Sequence, residues 1–350
     1  MGFAIALPTL RSLNFLLMEC QLKIILSILM CLFYITNSYG GQCERQEEFT
    51  LIIHGGSGSG NKSKPVQKKM MEVIVVALQN GFHLLQSGEQ GEDVIVSVLS
   101  FLEDSPYFNA GRGGNPNEEG FVELDASIMR GNDKNSGAVA AVQRIKNPIK
   151  AALRVMNNSR HVMFAGSGAD AFAKKEKLEI VPNCYFYTDI HPKKSTKINQ
   201  EIGTVGAVVW DRCGNWVAGT STGGFKTKTP GRVGDTPIIG AGTYAENHTC
   251  AVSCTGHGEY FIRFAVSHSI CSLIKYKKMS GLKAAKELLD KQLLPLKVKG
   301  GVILIDNQGK GYFHFTSKGM SRGMVTEKGI MKGGIFKNNR NLGKVHDRLQ

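Results

Sequence analysis

The apolar positions change period several times along the chain. Glu48–His54 is a strand-length run closed by Gly55-Gly56-Ser57-Gly58-Ser59-Gly60. Pro65 opens a stretch in which Met71, Ile74, Val75, Leu78, Phe82 and Leu85 recur at helical spacing until Gly88, the pattern of an amphipathic helix with a glycine stop. A second helix is predicted over Asp93–Leu102, and breakers crowd Ser105–Gly120. Val122, Leu124, Ala126 and Ile128 alternate within Phe121–Met129, and Gly137–Val142 follows; both read as strands. Asn147-Pro148 supplies an N-cap and a first-turn proline for a helix ending near Asn157, and Ala169–Leu178 is a further helix. Pro182–Gly203 is a polar connector without period.

The character changes at Thr204. Val205–Asp211 and Asn215–Thr222 form a hairpin around Asp211-Arg212-Cys213-Gly214-Asn215. Gly240–Tyr244 and Thr249–Cys254 are short strands, Gly258–Ile274 and Leu282–Leu294 helices, and Gly301–Asp306 with Tyr312–Thr316 a last hairpin. Helices, then strands, then strands and helices again imply sheets packed on each other and covered by helices.

Composition changes this picture little. With 42% hydrophobic and 21% charged residues the chain is globular, and 41 glycines suit tight turns and close backbone approaches. The net charge of +14 raises nucleic acid as a partner. The lysine clusters at 62–69, 174–177 and 275–278 hold no arginine and one aromatic, Tyr276, which is not a stacking groove. Lys23, the apolar run Ile24–Ile35 and the small residues Ser38 and Gly40 make residues 1–40 a leader removed before Gly41. Its core is short for a membrane span, so no stable insertion is expected. An uncleaved anchor is the alternative, and Met18 is a possible second start. Six cysteines and sequons at Asn61, Asn157 and Asn247 remain after the leader, compatible with a secretory or lysosomal route; a misassigned start would make the chain cytoplasmic. The cysteines have no zinc-ligand spacing.

Chemistry concentrates around Gly203-Thr204-Val205-Gly206. A threonine hydroxyl needs a base, and an N-terminal threonine carries one in its own α-amine, whose pKa is about 8. Cleavage between Gly203 and Thr204 would create that terminus. The four residues alone describe any β-branched residue opening a strand; their company is informative. Thr220-Ser221-Thr222-Gly223-Gly224 ends the partner strand. Pro230-Gly231-Arg232-Val233-Gly234-Asp235 places a guanidinium and a carboxylate on one loop, matched to the carboxylate and ammonium of an amino-acid end group. Ser253-Cys254-Thr255-Gly256-His257-Gly258 reads as a small-residue loop whose donors can hold an oxyanion.

These motifs, with His54-Gly55-Gly56-Ser57-Gly58, Phe108-Asn109-Ala110-Gly111, Leu124-Asp125-Ala126-Ser127-Ile128-Met129 and Asn147-Pro148, occur in the order of the plant-type L-asparaginase/isoaspartyl aminopeptidase family, which the chain resembles from about Glu48 to about Gly334. The resemblance implies an α+β fold, a four-layer αββα sandwich of the N-terminal-nucleophile type. It implies self-cleavage before Thr204 into an α subunit (41–203) and a β subunit (204–350), then hydrolysis of asparagine and β-aspartyl dipeptides. Thr204 resembles the nucleophile and Thr222 its helper; Arg232 and Asp235, with Gly258, resemble the substrate anchors, and Thr255 with Gly256 the oxyanion hole. The stretch holding Leu102, Glu103, Ser105, Phe108, Ala110 and Arg112 resembles a loop whose carbonyls hold a structural Na⁺; no other cofactor is implied. A dimer of αβ units, a small-molecule substrate and no nucleic acid are the partners so implied. Arg112-Gly113-Gly114-Asn115, Ser57-Gly58-Ser59-Gly60 and the leader depart from the family pattern. The leader brings in a glycosylasparaginase as alternative, and a retired secreted binding protein is the reading from another class.

Overall fold

Strand β1 (Thr50–His54) is buried at all five positions, as an apolar run with both faces covered must be. A computed structural model describes residues 45–189 and 203–345, and Lys23, Ser27 and Cys43 besides. Apart from those single positions the leader lies outside the described residues, as does the connector over 190–202. The chain divides into Met1–Arg45 and Gln46–Gln350, and the fold is that of the second unit.

β1 pairs antiparallel with β5 (Val205–Trp210), which forms the expected hairpin with β6 (Trp216–Thr222). β2 (Leu124–Arg130) and β3 (Ser136–Val142) extend the sheet on one side of β6, and the three-residue β4 (Met163–Ala165) ends it. Beyond β1 lie β11 (Arg322–Thr326), β12 (Ile330–Gly334) and β13 (Arg340–Lys344), giving nine strands. A second sheet holds β7 (Thr243–Glu246), β8 (Cys250–Gly256), β9 (Gly300–Asp306) and β10 (Gly311–Phe315). One face of the large sheet packs against α1 (Lys64–Ser87), α2 (Gly91–Glu103) and α3 (Pro148–Asn158), around a core including Leu51, Ile74, Ile95, Val98 and Ile149. Its other face meets the small sheet through β1, β5 and β6, with Ile52, Val208 and Ala218 against Val252 and Leu304. α4 (Gly166–Lys175) lies by β3 and β4. α5 (Gly258–Arg263) follows β8; α6 (Val266–Lys277) and α7 (Gly281–Lys286), which runs on into a π turn at Glu287–Leu293, pack on the small sheet. Among the described residues no helix is long and apolar enough to cross a membrane.

α1 ends as its sequence requires: Gly88 takes φ 85° and its N–H returns to Leu85, a left-handed stop that glycine adopts without strain. Elsewhere tertiary contacts override local pattern. The helix expected over Gly258–Ile274 breaks at Ala265, which takes φ 44°. There the N–H groups of Ser267 and His268 bond to Ala241 and Gly240 carbonyls on the loop before β7, so the restart is satisfied from outside the helix. The stretch Ser253–Gly258, read as a loop, is instead strand as far as Gly256, because it pairs residue by residue with Gly300–Ile303. Asn147 does not cap α3 with its side chain. Its amide goes to Asp104, and Glu103 Oε1 accepts the Ile149 N–H at 3.0 Å. β4, Met163-Phe164-Ala165, is too short to show alternation, and β11–β13 carry glycine and charged residues that mask it. Cys250 and Cys271 are joined, tying β8 to α6; Cys184 and Cys254 are free.

Candidate active site

The start of β5 and the end of β6 face each other, Val205 opposite Ser221. This register brings the Thr204 hydroxyl 3.2 Å from that of Thr222. Both are about 5% exposed, so they are desolvated but reach a cavity. Three donors converge on the Gly203 carbonyl oxygen: Thr204 Oγ1 at 2.6 Å, Thr222 Oγ1 at 2.9 Å and Asn109 Nδ2 at 2.9 Å. Hydrogen bonds of this kind polarise a carbonyl and stabilise negative charge developing on its oxygen. Asn109 is itself fixed: its amide also donates to the Gly224 carbonyl at 2.7 Å and its oxygen accepts the Asn115 N–H at 2.8 Å.

The requirement for glycine at 203 has a specific cause. A Cβ there would stand 2.7 Å from Asn109 Cβ, closer than packed carbons approach. Gly56, at φ +94°, fills the other side; a Cβ on it would lie 2.8 Å from Thr204 N. The threonine is thus gripped between the glycine turn after β1 and the Asn109 loop.

Across the cavity run the residues of the loop after β6. Phe225, Arg232, Gly234, Asp235 and Thr236 line the same space as Gly203, Thr204, Thr222 and Gly256. The Arg232 guanidinium lies over the Phe225 ring, 4.1 Å from its centre, and gives Nε and Nη2 to Glu259 Oε1 at 2.9 and 2.8 Å. Its Nη1 edge turns toward Gly224 and Gly234, the glycines beside the cavity. Asp235 is buried; burial is the main cause that pushes its carboxyl up to about 7, with the Arg232 charge pulling back and Glu259 and Asp125 pushing further. Its Oδ2 has no hydrogen-bond partner among the described residues. A buried carboxylate in that condition is costly until a cation meets it. Gly258 sits where a Cβ would be 2.9 Å from both Arg232 Nη2 and Asp235 Oδ1.

Thr255 stands apart from this group. Its hydroxyl accepts the Ser57 N–H at 3.1 Å and reaches Ser57 Oγ only at 3.4 Å, so its proton is weakly held and can turn to another acceptor. His54 is fully buried and held neutral, its pKa lowered to about 3 by burial. Its Nδ1 accepts the Gly56 N–H and its Nε2 meets Ser253 Oγ at 3.2 Å, a link between the sheets rather than a base. Among the described residues no group of three or more His, Cys, Asp or Glu is placed to hold a metal ion. The sequence reading missed Asn109, Phe225 and Glu259 as site residues. Asn109 stood within a quoted motif and Glu259 directly after one; neither spacing revealed the contact, which arises across about a hundred residues for Asn109 and Gly203.

The asparaginase family model matches residues 47–197 and 189–335. This chain belongs to the asparaginase family. Similar proteins include an isoaspartyl peptidase of Escherichia coli (strain K12), 38% identical over 78% of this chain and 91% of that one. A probable isoaspartyl peptidase/L-asparaginase 2 of Arabidopsis thaliana is 36% identical over 82% and 99% respectively. An isoaspartyl peptidase/L-asparaginase of Bos taurus is 38% identical over 77% and 91%. The family model thus spans both sides of the Gly203–Thr204 bond, and with it the threonine pair and the loop bearing Arg232 and Asp235.

Proposed function

We propose that this member of the asparaginase family is a self-processing threonine hydrolase that cleaves the β-amide of asparagine and of β-aspartyl dipeptides. The observation that carries it is the Gly203 carbonyl, held by Asn109 and Thr222 within reach of the Thr204 hydroxyl, in one cavity with Arg232 and Asp235. In the first act Thr204 Oγ1 bonds to the Gly203 carbonyl carbon, the C–N bond breaks, and the hydroxyl proton ends on the departing nitrogen. Water then opens the ester, leaving an α subunit ending at Gly203 and a β subunit beginning at Thr204.

In the second act the freed α-amine takes the Thr204 hydroxyl proton. Thr222, 3.2 Å away, orients that hydroxyl. The Nη1 edge of Arg232 receives the substrate α-carboxylate while Glu259 fixes the other edge. Asp235 receives the α-ammonium, with the Gly258 carbonyl beside it. The β-carbonyl then points toward Gly256 N–H and the Thr255 hydroxyl, whose proton turns away from Ser57. Attack gives an acyl-enzyme and releases ammonia or an amino acid; water returns aspartate. Each oxyanion donor contributes roughly 3 kcal/mol in acyl-transfer sites of this kind.

No step requires a cofactor. A Na⁺ held by carbonyls of the Leu102–Arg112 loop belongs to the proposal only as a brace for Asn109. The Leu102 and Glu103 carbonyls already accept the Ser105 and Arg112 N–H groups, and each keeps a second lone pair. We read the packing of helices on two facing sheets as the four-layer αββα arrangement of the N-terminal-nucleophile hydrolases, and a dimer of αβ units as the assembly. The Cys250–Cys271 bond supports a secretory or lysosomal location.

A panel of asparagine, a β-aspartyl dipeptide and N-acetylglucosaminyl-asparagine, assayed with wild type and Thr204→Ala, tests the reading. The first two are cleaved by wild type alone. Activity of Thr204→Ala, or cleavage of the glycosylated substrate only, would overturn it.

A further inference from the structure

The alternation that predicts β2 has two rows, and the function above uses neither. The even row, Val122, Leu124, Ala126 and Ile128, enters the hydrophobic core. The odd row points the other way and is polar: Glu123, Asp125 and Ser127, at 4%, 0% and 0% exposure. All three meet the loop that carries Arg232 and Asp235. Glu123 accepts the Gly231 N–H at 3.1 Å, and its carbonyl accepts Lys228 Nζ at 2.8 Å. Ser127 Oγ donates to the Thr236 carbonyl at 2.6 Å. Asp125 lies between them. Its Oδ1 takes the Ala141 N–H at 2.8 Å, its Oδ2 has no hydrogen-bond partner among the described residues, and the Lys228 and Arg232 charges favour its ionised form.

Asp125 is also the cross-strand partner of Thr222. Directly opposed residues project to the same face of a sheet, so Asp125 stands between the helper threonine and the anchor loop. A buried carboxylate is costly without a cation nearby, and the buried cation of the loop is Lys228, whose Nζ is bonded to the carbonyl of Glu123 in the same row. Burial pushes the Asp125 carboxyl up and the Lys228 ammonium down, and each pulls the other back toward its charged form.

We propose that Asp125, acting with the buried Lys228 held on the adjacent Glu123 carbonyl, is a positioning residue that sets the loop of Arg232 and Asp235 at the distance from Thr204 and Thr222 that an aspartyl group spans. This rests on the reading of Arg232 and Asp235 as substrate anchors. It also gives a reason for a fully buried acidic residue near the start of β2. The nucleophile side, held by Asn109 and the β5–β6 register, does not depend on the pair.

The test compares Asp125→Asn, Lys228→Met, the double variant, Ser127→Ala and Arg232→Ala. It follows Gly203–Thr204 cleavage and then KM and kcat for a β-aspartyl dipeptide. Asp125→Asn and Lys228→Met each raise KM by about tenfold or more, the scale of one mispaired buried polar group, with kcat and the cleavage rate within about threefold. The double variant is no worse than the worse single one, because with both charges removed neither is left buried and unmatched. Ser127→Ala, which unpairs no charge, raises KM a few-fold and decides the matter if the charge variants do not fold. Unchanged KM, multiplying effects, or cleavage and kcat falling together with KM would overturn the proposal. An Arg232→Ala enzyme with wild-type KM would instead show that the anchor reading itself had failed, and the proposal with it.

Discussion

At the Gly203 carbonyl, Asn109 supplies the one donor that is neither nucleophile nor helper. Asn109→Ala removes it and leaves the Gly224 carbonyl with only the longer bond from Asn115 Nδ2 at 3.3 Å. Self-cleavage should slow by about 10²-fold, the scale for losing one oxyanion donor, as read from the appearance of the shorter chains on a gel. Asp235 makes the second residue-scale prediction. Its carboxyl is raised to about 7 by burial, and only the ionised form holds an ammonium. KM for asparagine therefore rises as pH falls below about 7, while Asp235→Asn loses this dependence together with affinity. The sign for stability is opposite. A raised carboxyl favours the fold fully below its unfolded value near 4, and that contribution is lost as pH rises through about 7. At pH 8 Asp235→Asn should be more stable by on the order of 2 kcal/mol, measured by urea unfolding, an exchange of stability for function. That Thr204, Thr222, Arg232 and Asp235 line one cavity was legible because each lies in a local motif. The contact of Asn109 with Gly203 was not, since it joins residues far apart in the chain.

Strands and helices divide along similar lines. The β5–β6 hairpin and the α1 stop are encoded by adjacent residues, so pattern reading finds them. The break at Ala265 and the strand character of Ser253–Gly256 depend on the Gly240–Ala241 carbonyls and on β9, which no local pattern contains. Glu103 shows how such a long-range contact stabilises two elements at once. From the end of α2 it accepts the first-turn N–H of α3 and the Ser221 hydroxyl of β6 on the same oxygen, at 3.0 and 2.7 Å. Burial raises its carboxyl to about 8, so it is neutral at pH 7. Glu103→Gln should therefore cost no more than about 1 kcal/mol, whereas Glu103→Ala uncaps α3 and strands the hydroxyl at a cost of about 2–4 kcal/mol. Denaturant midpoints of the two variants check the difference.

For the whole molecule, two independent features address the route of the chain. Cys250 and Cys271 are bonded. Of the three sequons, Asn61 and Asn157 are exposed, while the Asn247 amide is occupied by Asn215 and its oxygen by the Trp216 N–H. Expression through a secretory pathway should add glycans at Asn61 and Asn157 and none at Asn247, visible as two mass steps on deglycosylation; the Asn61→Gln and Asn157→Gln variants each remove one. That two sheets pack on each other with helices against them was legible from element order alone. The outer strands β11–β13 were not, because glycine- and charge-rich edge strands lack the alternation that marks central ones.

The central claim is that the Gly203–Thr204 bond is cut by its own threonine. Intact mass with N-terminal sequencing of purified protein, held at neutral pH, tests it most directly. The account predicts two chains, one beginning Thr204-Val205-Gly206, and a single uncut chain from Thr204→Ala. Wild-type protein that stays whole for days, or is cut at another bond, would contradict it.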